Sequence, residues 1–125
     1  MKSLSLVLIL LALSFSASAK NYTLEVTATA FTSTRAETDS TPNITAWGDR
    51  LKPGMKCIAV SRDLIKLGLK HNTKVKIKGL KGEYVVLDKM NKRWTKKIDI
   101  YMGKDRKKAL QWGKKKVIIQ WETRD

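Results

Sequence analysis

The chain has 125 residues, with 26 Lys and Arg against 11 Asp and Glu, one His, one Cys and 42% hydrophobic residues. This length allows one domain at most. The formal net charge of +15 excludes an acidic disordered tail, and the apolar fraction is too high for a fully disordered basic protein. One Cys cannot form an intramolecular disulfide or a cysteine-rich zinc site. One His leaves little basis for a Ser-His-Asp catalytic triad. Catalytic chemistry must therefore come largely from carboxylates, and no metal or cofactor is expected.

The first 19 residues have the three parts of a secretory signal peptide. Lys2 supplies a positive start, residues 4–13 are almost uninterruptedly apolar, and Ala17-Ser18-Ala19 is a small-x-small cleavage site. A signal anchor is the competing interpretation, but the apolar run falls short of the roughly 20 residues needed to span a bilayer. We predict cleavage after Ala19, a mature domain over residues 20–125 without a transmembrane span, and a location in the periplasm, cell envelope or extracellular space.

The mature chain has six segments with strand patterns, either period-two alternation or a short apolar run. They are residues 22–31, 57–60, 73–78, 83–88, 97–102 and 116–121. Two short helices are predicted, one capped by Ser61 and ended by Gly68, the other over residues 104–111 and closed by Gly113. Short strands with scattered glycine turns favour a closed or nearly closed β-barrel over a parallel α/β sheet.

Among the acidic residues, Asp88 and Asp99 have the context of functional carboxylates. Asp88 ends an apolar strand and Asp99 is set between two isoleucines, so both are held on rigid elements that a barrel can bring together. Partial desolvation raises the pKa of such a carboxyl group and suits it to donate a proton near neutral pH. The alternative is that each aspartate pairs with a Lys or Arg of residues 89–97, because structural ion pairs produce the same placement.

The other candidate groups have structural explanations. Asp49 lies in a long polar connection, residues 32–53, where it shapes a turn, although such a loop is also a candidate wall of a site. Asp105 offsets the dipole of the second helix. His71 is predicted at the surface, and Cys57 is predicted to be buried because it opens an apolar run.

Several segments together resemble the 3D (three-aspartate) domain, which is related to the catalytic barrel of MltA-type lytic transglycosylases. They are Ala28-Thr29-Ala30-Phe31, Thr45-Ala46-Trp47-Gly48, Ile58-Ala59-Val60, residues 82–88, residues 97–101 and Trp112-Gly113. The resemblance covers most of the mature chain in order. It implies a mainly β fold, a six-stranded double-psi β-barrel with one or two short helices, and peptidoglycan glycan strands as the partner.

The resemblance also implies residue roles. Asp99 would be the general acid/base that protonates the glycosidic oxygen between N-acetylmuramic acid and N-acetylglucosamine, then takes a proton from the muramic sugar's own hydroxyl as an anhydro ring closes. Because the nucleophile belongs to the substrate, no second carboxylate is needed to hold a water. Asp88 would support Asp99. The predicted substrate-binding residues are Thr45, Trp47, Lys89, Trp94 and Tyr101.

Two departures from the family pattern support a second hypothesis. The family usually has A-V-D-P where this chain has Ala59-Val60-Ser61-Arg62, so the first aspartate is absent unless Asp63 replaces it. It usually has T-G-G where this chain has Lys89-Met90-Asn91, which lacks the glycines that let a backbone approach a sugar closely. The alternative function is therefore a non-catalytic barrel of the same fold that binds peptidoglycan or another glycan. A third hypothesis, an exported basic protein that binds a partner, leaves the aspartates as supports of the fold.

Lysines cluster in residues 89–97 and 104–116, and their field attracts polyanions such as the carboxylates on peptidoglycan stems. A solvated basic surface without a ligand is the alternative. No nucleic-acid partner is expected, because the chain has no recognition-helix, RNP or zinc-finger signature, and the protein is expected to be a monomer. Trp94, placed among cations, suits stacking on a sugar or cation–π packing.

Overall fold

The computed structural model describes residues 19–33 and 43–124. The predicted signal peptide therefore lies outside the described residues, apart from Ala19, and so do residues 34–42 of the long polar connection. No helix in the described ranges is long and apolar enough to cross a membrane.

Six strands close into a barrel in the order β1-β5-β2-β4-β3-β6. The strands are β1 (Ala19–Phe31), β2 (Cys57–Val60), β3 (Lys74–Ile77), β4 (Tyr84–Lys89), β5 (Lys97–Tyr101) and β6 (Lys115–Arg124). Within the described residues two short helices accompany the barrel, α1 (Arg62–Ile65) and α2 (Arg106–Trp112). The predicted mainly β barrel with six strands and two short helices is confirmed. Strands β1 and β6 are longer than predicted because they pair with each other, antiparallel, from Ala19↔Arg124 to Ala28↔Lys115.

The strand order requires crossovers, since neighbours in the barrel are mostly not consecutive in the chain. Strands β1 and β5 pair in parallel, as do β2 and β4, and the remaining pairs are antiparallel. Strands β3 and β4, which are consecutive in the chain and antiparallel, form a hairpin. One predicted detail is wrong: Ser61 precedes α1 but makes no side-chain cap, because its Oγ instead accepts a hydrogen bond from the Lys97 amide at 3.0 Å.

Two apolar clusters lie on opposite sides of the barrel wall. The inner cluster fills the barrel and contains Val26, Ala28, Ile58, Val60, Leu64, Leu69, Val75, Ile77, Val86, Ile98, Ile100, Ile119 and Trp121. The outer cluster is Leu51, Cys57, Leu87 and Tyr101, with Phe31, Met55 and Val85 packed against it. Cys57 is buried, as predicted. The outer cluster is what attaches the chain around Leu51 to the outside of the barrel, next to β2, β4 and β5.

Candidate functional site

Asp99 lies on β5 with its side chain on the outer face of the barrel wall. Its neighbours Ile98 and Ile100 are buried in the inner cluster, and successive side chains of a strand point to opposite faces. Its register partner on the parallel strand β1 is Thr29, whose Oγ1 donates a hydrogen bond to Asp99 Oδ1 at 3.0 Å. Asp99 is half-buried and held in one orientation by this bond.

A β-bulge brings Asp88 to the same outer face. Strands β2 and β4 pair Ile58 with Val86, but the next pair is Ala59 with Asp88, so that Leu87 is the extra residue. A bulge of this kind shifts the alternation of the bulged strand and re-aims a side chain. Without it, Asp88 would follow Val86 into the barrel interior. The bulge instead places Asp88 outside, in register with Ala59.

A tight hairpin over residues 43–51 covers Asp88. It is closed by the bridge between Ile44 and Arg50. The amide of Ala46 donates to Asp88 Oδ1 at 2.8 Å, and the amide of Lys89 donates to the same oxygen at 2.9 Å. Backbone N–H groups therefore hold Asp88, and the hairpin over residues 43–51 bounds the outer face at this point.

The hairpin also carries a third carboxylate, Asp49. Its Oδ2 lies 2.6 Å from His71 Nε2, and the His71 ring packs against Trp47 with centroids 4.9 Å apart. The Asp49 amide donates to Thr45 Oγ1 at 2.9 Å, which is the predicted turn-shaping role. No local sequence pattern predicts the contact with His71, because the two residues belong to separate loops.

Burial raises the pKa of Asp88, with the negative charge of Asp49 acting in the same direction. The two backbone hydrogen bonds from Ala46 and Lys89 oppose this shift, yet the net change is upward. Burial also raises the pKa of the Cys57 thiol to about 12, and the charges of Asp88 and Asp49 add to the effect. The carboxyl groups of Asp88 and Asp49 and the thiol of Cys57 therefore interact electrostatically on one side of the barrel.

The structure brings together three of the predicted substrate-binding residues beside Asp88. Thr45 is buried, and its Oγ1 lies 3.3 Å from Asp49 Oδ2. Trp47 is half-buried, and the Lys89 ammonium lies 5.8 Å from the centre of its ring. These residues form a polar and aromatic group beside Asp88 and Asp49.

The other two predicted residues have different surroundings. Tyr101 is 4% exposed in the outer cluster, and its hydroxyl lies 2.9 Å from Ser33 Oγ. Trp94 packs between two cations, with Arg93 Cζ 4.8 Å and Lys97 Nζ 3.6 Å from its ring centroid. Trp94 thus makes the cation–π packing that was one of its two expected roles.

Asp63 lies on α1 and serves the local backbone. Its Oδ2 accepts a hydrogen bond from the Lys96 amide at 2.9 Å, in a loop where Lys96 has the positive φ of 45°. Its pKa is lowered: burial raises it, but the hydrogen bonds from Ser61 and from backbone amides outweigh burial. Within the described residues, no group of three or more His, Cys, Asp or Glu is arranged to hold a metal ion.

A cavity of about 590 Å³ lies elsewhere, where the ends of β1 and β6 pass β3, and is lined by Tyr22, Asn72, Lys74 and Gln120 among others. Neither Asp88 nor Asp99 lines it. The carboxylates instead lie on a face of the barrel wall. We take that face as the candidate site, because it is where a shifted pKa, an aromatic ring and several polar groups converge.

Comparison with known proteins identifies the architecture. The apo expansin of Clavibacter michiganensis superposes with a TM-score of 0.52 at 17% identity, over 83% of this chain and 52% of the expansin. The fold is a double-psi β-barrel. A mutant of the same expansin, in complex with cellohexaose, superposes with a TM-score of 0.48 at 14% identity, over 83% of this chain and 50% of the other. No protein-family model and no curated protein matches the chain.

The double-psi barrel spans about half the length of the expansin structures that it matches. At such low identity the likeness establishes the fold. The role of the site has to be argued from the residues on the barrel wall.

Proposed function

We propose that this chain is a glycan-binding double-psi barrel of the cell envelope and that its ligand is peptidoglycan. The observation that carries the proposal is that Asp88 and Asp99 flank Ala59 on the outer face of the barrel wall, and that the hairpin whose Ala46 amide donates to Asp88 also carries Trp47, with Lys89 beside its indole. Carboxylates accept hydrogen bonds from sugar hydroxyls, and an indole presents an apolar face with a polar edge. The cation at Lys89 suits a glycan that carries carboxylates, which peptidoglycan has on its peptide stems.

We further propose that the chain is an exported member of the 3D domain family, with residues 1–19 as the signal peptide and residues 20–125 as the domain. Asp49 rather than Asp63 would supply the third carboxylate. Asp49 is close enough to raise the pKa of Asp88. Asp63 lies in the first turn of α1 instead, where it accepts a hydrogen bond from the Lys96 amide.

Lytic cleavage of the glycan is the second candidate function. The observation that favours it is the hydrogen bond from Thr29 to Asp99, which orients one carboxylate on a rigid strand. Asp88 and Asp99 are separated by one intervening strand, so their Cα atoms are roughly 10 Å apart, twice the spacing of neighbouring strands. A reaction with Asp99 as the single acid/base needs no closer partner when the nucleophile is the muramic sugar's own hydroxyl.

The test is incubation of the purified protein with peptidoglycan sacculi, followed by sedimentation and mass spectrometry of the released fragments. Binding without release supports the binding barrel. Anhydromuropeptides that disappear with Asp99→Asn establish cleavage. Glu83→Gln, which neutralises an exposed carboxylate outside the site, is the matched control and should behave as the wild type.

Cellulose serves as the uncharged comparison glycan. Retention on cellulose equal to retention on sacculi contradicts the choice of peptidoglycan. No retention and no release on either polymer contradicts both candidate functions and leaves the aspartates as supports of the fold.

A further inference from the structure

Residues 104–116 carry a dense set of positive charges that form no ion pair in the described part of the chain, although Lys115 Nζ lies 3.8 Å from the centroid of the Trp112 ring. This segment comprises α2 and its flanks and contains seven Lys or Arg residues, all exposed, with one acidic residue, Asp105. Asp105 caps α2, and its Oδ1 accepts the Lys108 amide at 3.0 Å. Among the described residues, the ion pairs are His71–Asp49 and Arg124–Glu122, and neither belongs to this segment. The charges therefore face solvent without neutralisation by the protein.

The same segment exposes a large aliphatic side chain at its centre. Leu110 is 69% exposed, the most of any large hydrophobic residue in the described ranges. Helix neighbours three and four positions apart share a face, so Lys107 and Arg106 flank Leu110. The opposite side of α2 is fixed to the barrel, because Ala109 is buried and Trp112 Nε1 donates to the Ala28 carbonyl at 3.2 Å. A rigidly mounted helix thus presents a leucine surrounded by cations, which we name the basic face.

We infer that the basic face docks on the surface of an anionic phospholipid bilayer. Clustered Lys and Arg residues are attracted to anionic headgroups, and an apolar side chain among them gains further by entering the boundary between headgroups and acyl chains. A soluble polyanion would pair with the Lys and Arg residues but would give Leu110 no apolar contact. The combination of uncompensated charge with this exposed leucine therefore favours the bilayer.

Co-sedimentation with lipid vesicles tests the inference. The purified protein should bind vesicles of phosphatidylcholine and phosphatidylglycerol, bind pure phosphatidylcholine far more weakly, and lose affinity as salt rises. The double variant Arg106→Gln/Lys107→Gln should lose about 30-fold in affinity, and Leu110→Ala about tenfold. All variants have the same N-terminal residues 1–19, so differences among them report on the basic face.

The chain offers a matched control at the other end of the barrel. Leu67 is 45% exposed between the exposed residues Lys66 and Lys70, and its carbonyl accepts from Trp121 Nε1 near the end of β6. Strand β6 starts at Lys115, roughly 20 Å away at the usual rise per residue. Leu67→Ala and Lys66→Gln/Lys70→Gln should therefore bind anionic vesicles within about twofold of the wild type.

Three results would overturn the inference. One is equal binding to neutral and anionic vesicles. Another is an equal loss of affinity in the control variants, which would indicate a nonspecific charge effect. The third is wild-type vesicle binding by Leu110→Ala together with full displacement by soluble polyphosphate, which would assign the basic face to a soluble polyanion. Circular dichroism of each variant verifies that the barrel is intact.

Discussion

Asp88 and Asp99 pair with the same residue, Ala59, from its two sides. Asp88 is the partner of Ala59 on the parallel strand β4, and Asp99 is its partner on the antiparallel strand β5. Ala59 is 6% exposed and presents only a methyl group between the carboxylates. The two acids therefore share a face while differing in their surroundings: backbone amides hold Asp88, and a threonine hydroxyl holds Asp99.

Thr29→Val should weaken the site by removing the hydroxyl that donates to Asp99 at nearly constant shape. We expect the free energy of unfolding to fall by about 1 kcal/mol, the usual worth of such a bond at a half-buried position, and glycan retention to fall with it. Urea unfolding and sacculus sedimentation measure the two effects. Thr27→Val, two residues earlier on the same strand and face, is the control. Equal losses in both variants would show that the Asp99 contact has no special role.

Asp88→Asn should change how stability depends on pH. Because burial raises the pKa of Asp88 above 3.8 in the folded state, the unfolded chain ionises first as pH increases. The free energy of unfolding of the wild type therefore falls from about pH 4 upward, until the folded carboxyl is also ionised. The variant lacks this loss, and its amide oxygen can still accept from Ala46. Urea unfolding across this range measures the difference, and a difference that is constant with pH contradicts the prediction.

His71→Ala should weaken glycan binding several-fold while costing less than about 1 kcal/mol in stability, because exposed ion pairs contribute little. The side chains of His71 and Asp49 are 35% and 29% exposed. The expected binding loss arises because His71 supports Trp47 by ring packing. His71→Phe keeps the ring and removes the bond to Asp49, so it should retain most of the binding. If both variants bind like the wild type, Trp47 does not need His71.

Cys57 should be unreactive in the folded protein. The thiolate is the nucleophilic form, and a pKa of about 12 leaves almost none of it near pH 8. We expect alkylation by iodoacetamide to be complete in denaturant and negligible under native conditions, as read by mass spectrometry. Rapid native alkylation would mean that the outer cluster around Cys57 opens readily.

Gly68→Ala should destabilise the barrel more than Gly79→Ala. Both glycines have positive φ, 103° and 94°, so each variant suffers backbone strain of about 1 kcal/mol. At Gly68 a Cβ would also collide with Thr123 Cγ2, whereas at Gly79 nothing lies within 4 Å. We expect a loss of about 3 kcal/mol at Gly68. Thermal unfolding of the pair measures the difference, and equal melting temperatures would contradict the packing of β6 at this point.

The pattern of residues along the chain was enough to predict the architecture. Alternation at Ile98, Asp99 and Ile100 identifies which side chains enter the core, because a strand has only two faces. Composition restricts the candidate catalytic groups largely to carboxylates, and the apolar run at residues 57–60 predicts the buried Cys57 that the structure shows. These features are local, so they can be predicted from residues that lie close together in the chain.

Several features of the site depend on contacts that no local pattern encodes. The bulge at Leu87 brings Asp88 to the face of Asp99, and it exists because β2 pairs with β4 across a closed barrel. Asp49 and His71 meet only because the hairpin over residues 43–51 is attached to the outer cluster. Sequence determines the period of each strand, whereas the register between distant strands is selected by packing in three dimensions. That register decides which polar groups become neighbours, and hence which of them act together.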